Sequence, residues 1–222
     1  MKPARFIYLC NRTLEHSEKI SAHLKLYVHT YSLSIELEIK TIKNMTTSAK
    51  TTWNIDPMHS EVQFKVKHLV ISTVTGAFKS FEGGLETTED NFDGANASFS
   101  IATSSVDTNV TDRDAHLKSA EFFDSENHPN MTFKGVLKHT SGDDYKLVGD
   151  LTIKDTTKQI ELTVEHGGIM VDGYGQTKAG FEITGNINRK DFGLTWSMVT
   201  EAGGVVVGDN VKLQLNVQLT KG

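Results

Sequence analysis

The sequence predicts an all-β fold, a closed antiparallel barrel of about eight strands with one short helix. Three observations carry that expectation. Apolar and polar residues alternate at a spacing of two, short glycine- and aspartate-bearing segments separate the alternating runs, and one stretch alone carries a helix-start signal. The alternation is clearest near the C-terminus, where Val211, Leu213, Leu215, Val217 and Leu219 alternate with Lys212, Gln214, Asn216, Gln218 and Thr220. Successive side chains of a strand point to opposite faces, so this run has one dry face and one wet face.

Taken in order, the same rule places Val62, Phe64 and Val66 on one face against Glu61, Gln63, Lys65 and Lys67, and then Ala95, Ala97, Phe99 and Ile101 against Asn96, Ser98 and Ser100. Further strands follow around Met131 and Phe133, around Tyr145, Leu147, Leu151 and Ile153, around Ile160, Leu162 and Val164, and around Phe181, Ile183 and Ile187. Turns are expected at Glu82-Gly83-Gly84, Asp93-Gly94, Ser141-Gly142-Asp143, Gly167-Gly168, Asp172-Gly173 and Gly208-Asp209-Asn210. Connections this short make neighbouring strands antiparallel. Alternation leaves a sandwich and a closed barrel both open, with a modest preference for closure; a barrel of this size holds one small ligand or fills with side chains. At about 3.3 Å per residue, strands of about ten residues make a wall near 33 Å long. Thr111-Asp112-Arg113-Asp114 resembles an N-cap with an acid three residues on, and opens a helix over residues 112–119 that caps one barrel end.

The N-terminal segment reads differently. Residues 1–44 contain no glycine and no aspartate and carry seven Lys/Arg against four Glu, whereas all 18 glycines lie further on. A short alternation of Tyr27, His29, Tyr31, Leu33, Ile35, Leu37 and Ile39 could form an extra strand. We expect the barrel domain to occupy residues 45–222, with Met45 as the natural start and residues 1–44 as a disordered leader or upstream read-through. The apolar cluster Phe6–Cys10 is shorter than a secretory core of about 7–15 residues, so no signal peptide is expected. Leucine directly before Cys10 is too bulky for a lipoprotein cleavage site. No run reaches the roughly 18 apolar residues of a membrane-spanning helix.

Net charge is −5, so no basic field exists to hold nucleic acid. The single cysteine, Cys10, excludes an intrachain disulfide. No G-x-S-x-G elbow, H-E-x-x-H or C-x-x-C occurs, and the histidines of the barrel region are scattered, so neither a metal nor another cofactor is expected. Asp56-Pro57-Met58-His59 offers two ligands in principle, but these residues favour a turn fixed by Asp and His hydrogen bonds. Arg113, Asp114 and His116 form the most distinctive polar cluster. It can grip an anionic or hydroxyl head group at a barrel mouth, or act as a structural ion pair tying the helix to the rim. Arg189-Lys190-Asp191 poses the same choice and looks solvated. Phe122-Phe123 is a packing anchor or part of a binding box, and Trp53, Phe64, Phe78, Phe81, Phe99, Phe133, Phe181, Phe192 and Trp196 fill a core or line a cavity.

The motifs together resemble the YceI-like polyisoprenoid-binding family. They are Asp56-x-x-His59-Ser60-x-Val62-x-Phe64-x-Val66-x-His68-Leu69, Gly76-x-Phe78, Phe81-x-Gly83, Arg113-Asp114-x-His116-Leu117-x-Ser119-x-x-Phe122-Phe123-Asp124, Pro129-x-Met131-x-Phe133, Gly149-x-Leu151-Thr152-Ile153 and Asn188-Arg189-x-Asp191-Phe192-Gly193. The match runs from Trp53 to about Leu219. Lys154-Asp155 departs from it, since a glycine-containing turn is common there. The resemblance implies a lipocalin-like barrel that sequesters an isoprenoid chain, such as a prenyl quinone or polyprenyl phosphate, without catalysis. Carried over residue by residue, Val62, Phe64, Val66, Phe78, Phe99 and Phe133 face the tunnel, and Arg113, Asp114 and His116 sit at its head-group end. Family members often carry a secretion signal and are periplasmic; this chain shows none, so a cytoplasmic lipid carrier is expected, with a homodimer as a further possibility. Two other functions compete: a lipid-acting enzyme using Arg113, Asp114 and His116 for acid–base work, and a dimeric interaction platform whose barrel is filled.

Overall fold

A computed structural model describes residues 50–88, 91–198 and 206–222, together with Ser32. The chain divides at Ser48/Ala49, and the unit from Ala49 to Gly222 carries the fold. The leader, the extra strand and the start site expected over residues 1–44 lie outside the described residues.

The described strands are β1 (Thr51–Ile55), β2 (Glu61–His68), β3 (Ser72–Phe78), β4 (Phe81–Thr87), β5 (Asn96–Ala102), β6 (Val106–Asp107), β7 (Asn130–Ser141), β8 (Asp144–Ile153), β9 (Thr156–Val171), β10 (Thr177–Asn188) and β11 (Val207–Lys221). One α-helix, α1 (Thr111–Lys118), lies between β6 and β7. All pairings are antiparallel, and β1 pairs with β11 to close the sheet.

Three corners turn this set into an eight-strand up-and-down barrel. β1 and β2 are two halves of one wall strand: both pair with β11 on one side, and they pair with β4 and β3 respectively on the other. At their corner the Asp56 N–H donates to Gln218 O at 2.8 Å, and the Gln218 N–H donates to Ser60 Oγ at 2.9 Å, so β11 stays bonded across the break. β3–β4 and β5–β6 bend together, where the Lys79 N–H donates to Ser105 O and the Ala102 N–H to Ser80 O. Each wall strand thus pairs with its neighbours in sequence, as short connections require.

The Asp56 turn is held as its residue types suggest. Asp56 caps the 3-10 turn Pro57–His59, accepting from the Met58 N–H, and its carboxylate also meets His59 Nδ1 at 3.0 Å and the Lys178 ammonium at 3.3 Å. Three of the expected turns are instead strand. Gly83 and Gly84 lie within β4, where an added Cβ would collide with the Ser98 and Trp53 carbonyls of the flanking strands. Gly167-Gly168 belongs to β9 beside a bulge opposite Gly180/Phe181, and Gly208-Asp209-Asn210 forms a bulge in β11 between the pairs Val207↔His68 and Val211↔Val66. Glycine here serves close approach and irregular register rather than chain reversal. Lys154-Asp155 makes a two-residue hairpin with Lys154 at φ 53°.

The interior falls into two levels. At the end carrying the β4–β5, β7–β8 and β9–β10 connections, called lower here, Trp53, Phe92, Tyr145 and Phe181 are packed with Leu137 and Val164. Phe92 comes from the β4–β5 loop and meets Trp53 and Phe181 edge-on at centroid distances of 5.2 and 4.9 Å, plugging that end. His166 packs against the same rings with its buried Nε2 lacking a hydrogen-bond partner. Burial lowers its pKa, against the opposing influence of Asp143 and of the ring's hydrogen bond to the Gly168 backbone. The upper level, around Val62, Phe78, Phe123, Met131, Ile153, Phe192 and Leu194, is a shell rather than a plug. The 33 Å wall therefore does not enclose a tunnel along its whole length.

An apolar cavity as the candidate functional site

The upper level surrounds a cavity. β2 contributes Val62, Phe64 and Val66, β8 contributes Leu147, Leu151 and Ile153, and β11 contributes Val211, Leu213 and Leu215, each set following the two-residue period. From Leu147 to Ile153 the lining covers about 20 Å of strand at 3.3 Å per residue. The space open to the centre of a water-sized sphere is about 180 Å³, and all space between atoms, mouth included, is about 1190 Å³.

Two cross-strand devices set its width. The ring of Phe64 lies over Gly76, where a Cβ would overlap it, and the ring of Phe133 lies over the facing pair Gly135 and Gly149. Laying an aromatic ring over a residue without a side chain keeps it against the wall. The interior is left free as a result.

Only Gln63 and Arg189 among the lining residues carry polar side chains. Arg189 is 3% exposed, and all five of its N–H donors are used. Nε donates to Gly208 O at 3.0 Å, Nη1 to Leu194 O and Trp196 O at 2.5 and 2.7 Å, and Nη2 to Val207 O and Asp209 Oδ1 at 3.2 and 3.1 Å. Burial lowers its pKa while Asp209 opposes that shift. The expectation of a solvated Arg189 is therefore corrected: it staples the segment after β10 to the bulge of β11. The bulge exists where those carbonyls turn toward the guanidinium. Asp209 also receives the Lys190 ammonium at 2.9 Å.

Of the residues singled out from sequence, Val62, Phe64, Val66, Phe78, Phe99 and Phe133 all line the cavity. Arg113, Asp114 and His116 are near its upper end on α1 but are not part of the lining. Arg113 donates through Nε and Nη2 to Thr108 Oγ1 and O at 2.7 and 2.8 Å, and Asp114 Oδ1 accepts from the Thr108 N–H and hydroxyl at 2.8 and 2.5 Å. The two clasp buried Thr108 between β6 and the helix. The expected Thr111 cap is absent: the N-cap is Val110 without a side-chain bond, because the acid is turned back to Thr108. His116 Nε2 lies 2.6 Å from Glu121, with its ring edge-on to Phe122 and Trp196. α1 reaches the cavity instead through Leu117, and the segment after it through Phe122 and Phe123.

Sequence reasoning did not place Leu147, Leu151, Ile160, Leu162, Ile183, Leu213 and Leu215 at the cavity. Their alternation marked them as inward. It carries no signal for height along the barrel.

An eight-strand antiparallel barrel, plugged at one end and hollow and apolar at the other, defines a lipocalin-like fold with an internal cavity. The YceI-like domain model matches residues 53–219, and the chain belongs to the YceI-like family. It is 39% identical over 171 residues to a UPF0312 protein of Staphylococcus epidermidis, covering 77% of this chain and 98% of that one. Among solved structures, the Campylobacter jejuni YceI protein matches with a TM-score of 0.58 and 31% identity over 69% of this chain and 88% of its own. A structure described as a polyisoprenoid binding domain from Saccharophagus degradans, implicated in plant cell wall breakdown, matches with a TM-score of 0.57 over 77% of this chain and 98% of its own; at 16% identity it shares the fold.

Proposed function

We propose that the protein binds and carries a long-chain isoprenoid, or a similar amphiphilic lipid, in the upper cavity, and performs no chemistry on it. The observation that carries this reading is the lining. A buried water needs two to four polar partners. Of the two polar lining side chains, Gln63 donates through Nε2 to Glu61 on the outer face at 2.9 Å, and Arg189 has every donor engaged. Such walls favour hydrocarbon over water.

Magnitudes agree with this. At roughly 0.8 kcal/mol per buried CH₂, about twenty carbons give a gross gain near 16 kcal/mol, of which ordering and lost translation cost half or more. Affinity needs no polar contact, and chain lengths of similar fit are weakly distinguished. The Saccharophagus domain, described as polyisoprenoid-binding, supports the ligand class. The hollow upper level weighs against a filled interaction platform, and the engagement of Arg113 and Asp114 with Thr108 weighs against an acid–base site. No helix among the described residues is long and apolar enough to cross a membrane.

Equilibrium binding of a prenyl alcohol and a prenyl quinone, added from solvent to purified protein, tests the reading. Saturable uptake near one molecule per barrel is expected. No uptake of either probe would reject it.

A further inference from the structure

The β2–β3 hairpin ends in three consecutive aliphatic residues, Leu69, Val70 and Ile71, with Val70 73% and Ile71 85% exposed. They continue the wall of the cavity: Val66 lines it three residues before Leu69, the next β2 pair is His68↔Val207, and the Leu69 N–H donates to Val206 O at 3.0 Å. Two features set this tip apart. Leu69 and Val70 hold φ of 53° and 63°, a left-handed conformation that glycine or asparagine adopts at far lower cost than a β-branched side chain. The turn thus keeps aliphatic groups where its own geometry favours other residues. In addition, residues 62–81 carry three lysines and no acidic residue in a chain whose net charge is −5.

We propose that this hairpin is a docking finger for an anionic lipid bilayer: Val70 and Ile71 enter the interface and Lys65 and Lys67 meet the head groups, bringing the hollow upper end of the barrel onto the membrane. This inference rests on the lipid-carrier reading, since a bilayer is where such a ligand would be exchanged. Apolar insertion combined with local basic charge is the physical basis of reversible membrane-surface binding.

Flotation with phosphatidylcholine vesicles, with and without phosphatidylglycerol, tests it at low salt. Wild type is expected to float with the anionic vesicles. The double variant V70N/I71N should lose about tenfold or more per residue in partitioning, from the aliphatic burial removed. Its melting temperature should be unchanged or higher, because asparagine tolerates the positive φ at position 70. K65Q/K67Q should weaken binding to anionic vesicles alone. As a control, Met170 and Tyr174 are exposed at the opposite end, and M170N/Y174N should float like wild type.

Wild type that stays with no vesicle, a tip variant that floats like wild type, or an equal loss in M170N/Y174N would each overturn the proposal. Uptake of geranylgeraniol from solution, measured on the same samples, separates the two readings. Wild type and V70N/I71N should take it up equally. Absence of uptake by wild type would sink the carrier reading, while flotation still judges the finger.

Discussion

Replacing Arg189 by methionine separates a structural staple from a ligand-gripping cation. The substitution keeps much of the apolar stem and removes five N–H donors that serve four carbonyls and Asp209. Net hydrogen bonds to a charged group contribute roughly 1.5–3 kcal/mol each, but they share one side chain and do not add. The Asp209 side chain is 41% exposed and keeps Lys190, so the cost of R189M comes chiefly from the carbonyls left without donors, about 1–3 kcal/mol each and not additive, and we take about 3–5 kcal/mol in all. For a domain of this size, about 2–4 °C per kcal/mol converts it to a fall of about 10 °C in melting temperature. R189K, which keeps the charge but not the planar fork, should lie between the two. Urea unfolding followed by circular dichroism measures the cost, and prenyl-probe uptake per folded molecule should be unchanged. An R189M variant within about 1 kcal/mol of wild type in stability, yet defective in uptake, would refute the staple and make Arg189 a ligand contact.

Three other outcomes are expected. V62W places an indole in the void and should reduce prenyl-probe uptake about tenfold or more, at a packing cost of about 1–3 kcal/mol; undiminished uptake in a folded variant would move the site elsewhere. Because burial lowers the His166 pKa in the folded state, the unfolded chain binds the proton more readily, so stability should fall as pH drops below the unfolded value of about 6.5. Melting temperatures from pH 7 to 5 should show that slope in wild type, and H166F should flatten it. Burial raises the Asp56 pKa, but the bonds from His59, Lys178 and the Met58 N–H outweigh it and leave it lowered. Its contribution is therefore present above about pH 4 and lost as pH falls through the lower folded value, and D56N should show a smaller loss between pH 4 and 2.

The barrel was legible because alternation with short connections restricts strand neighbours, and because Val62, Phe64 and Val66 could only face inward together. Height along the axis was not legible. Trp53 and Phe181 alternate as Phe99 and Phe133 do, yet the first pair belongs to the plug and the second pair borders the void. The difference is made by Phe92, which lies in a loop where no period marks it as core. Arg189 was misread for a related reason. Its charged neighbours Lys190 and Asp191 suggested solvent, while its partners are backbone carbonyls at Leu194, Trp196, Val207 and Gly208, and a carbonyl's direction leaves no trace in residue type. Gly83-Gly84 and Gly167-Gly168 looked like turns because local composition does not distinguish chain reversal from two backbones in close contact.

On the proposed function, the upper cavity holds an isoprenoid chain. Native mass spectrometry of the protein purified from its own cells without detergent, with the released ligand identified after organic extraction, tests it most directly. A prenyl lipid bound at about one per barrel, and lost in V62W, is the predicted result. A barrel that carries no lipid and fails to take up prenyl probes would contradict it.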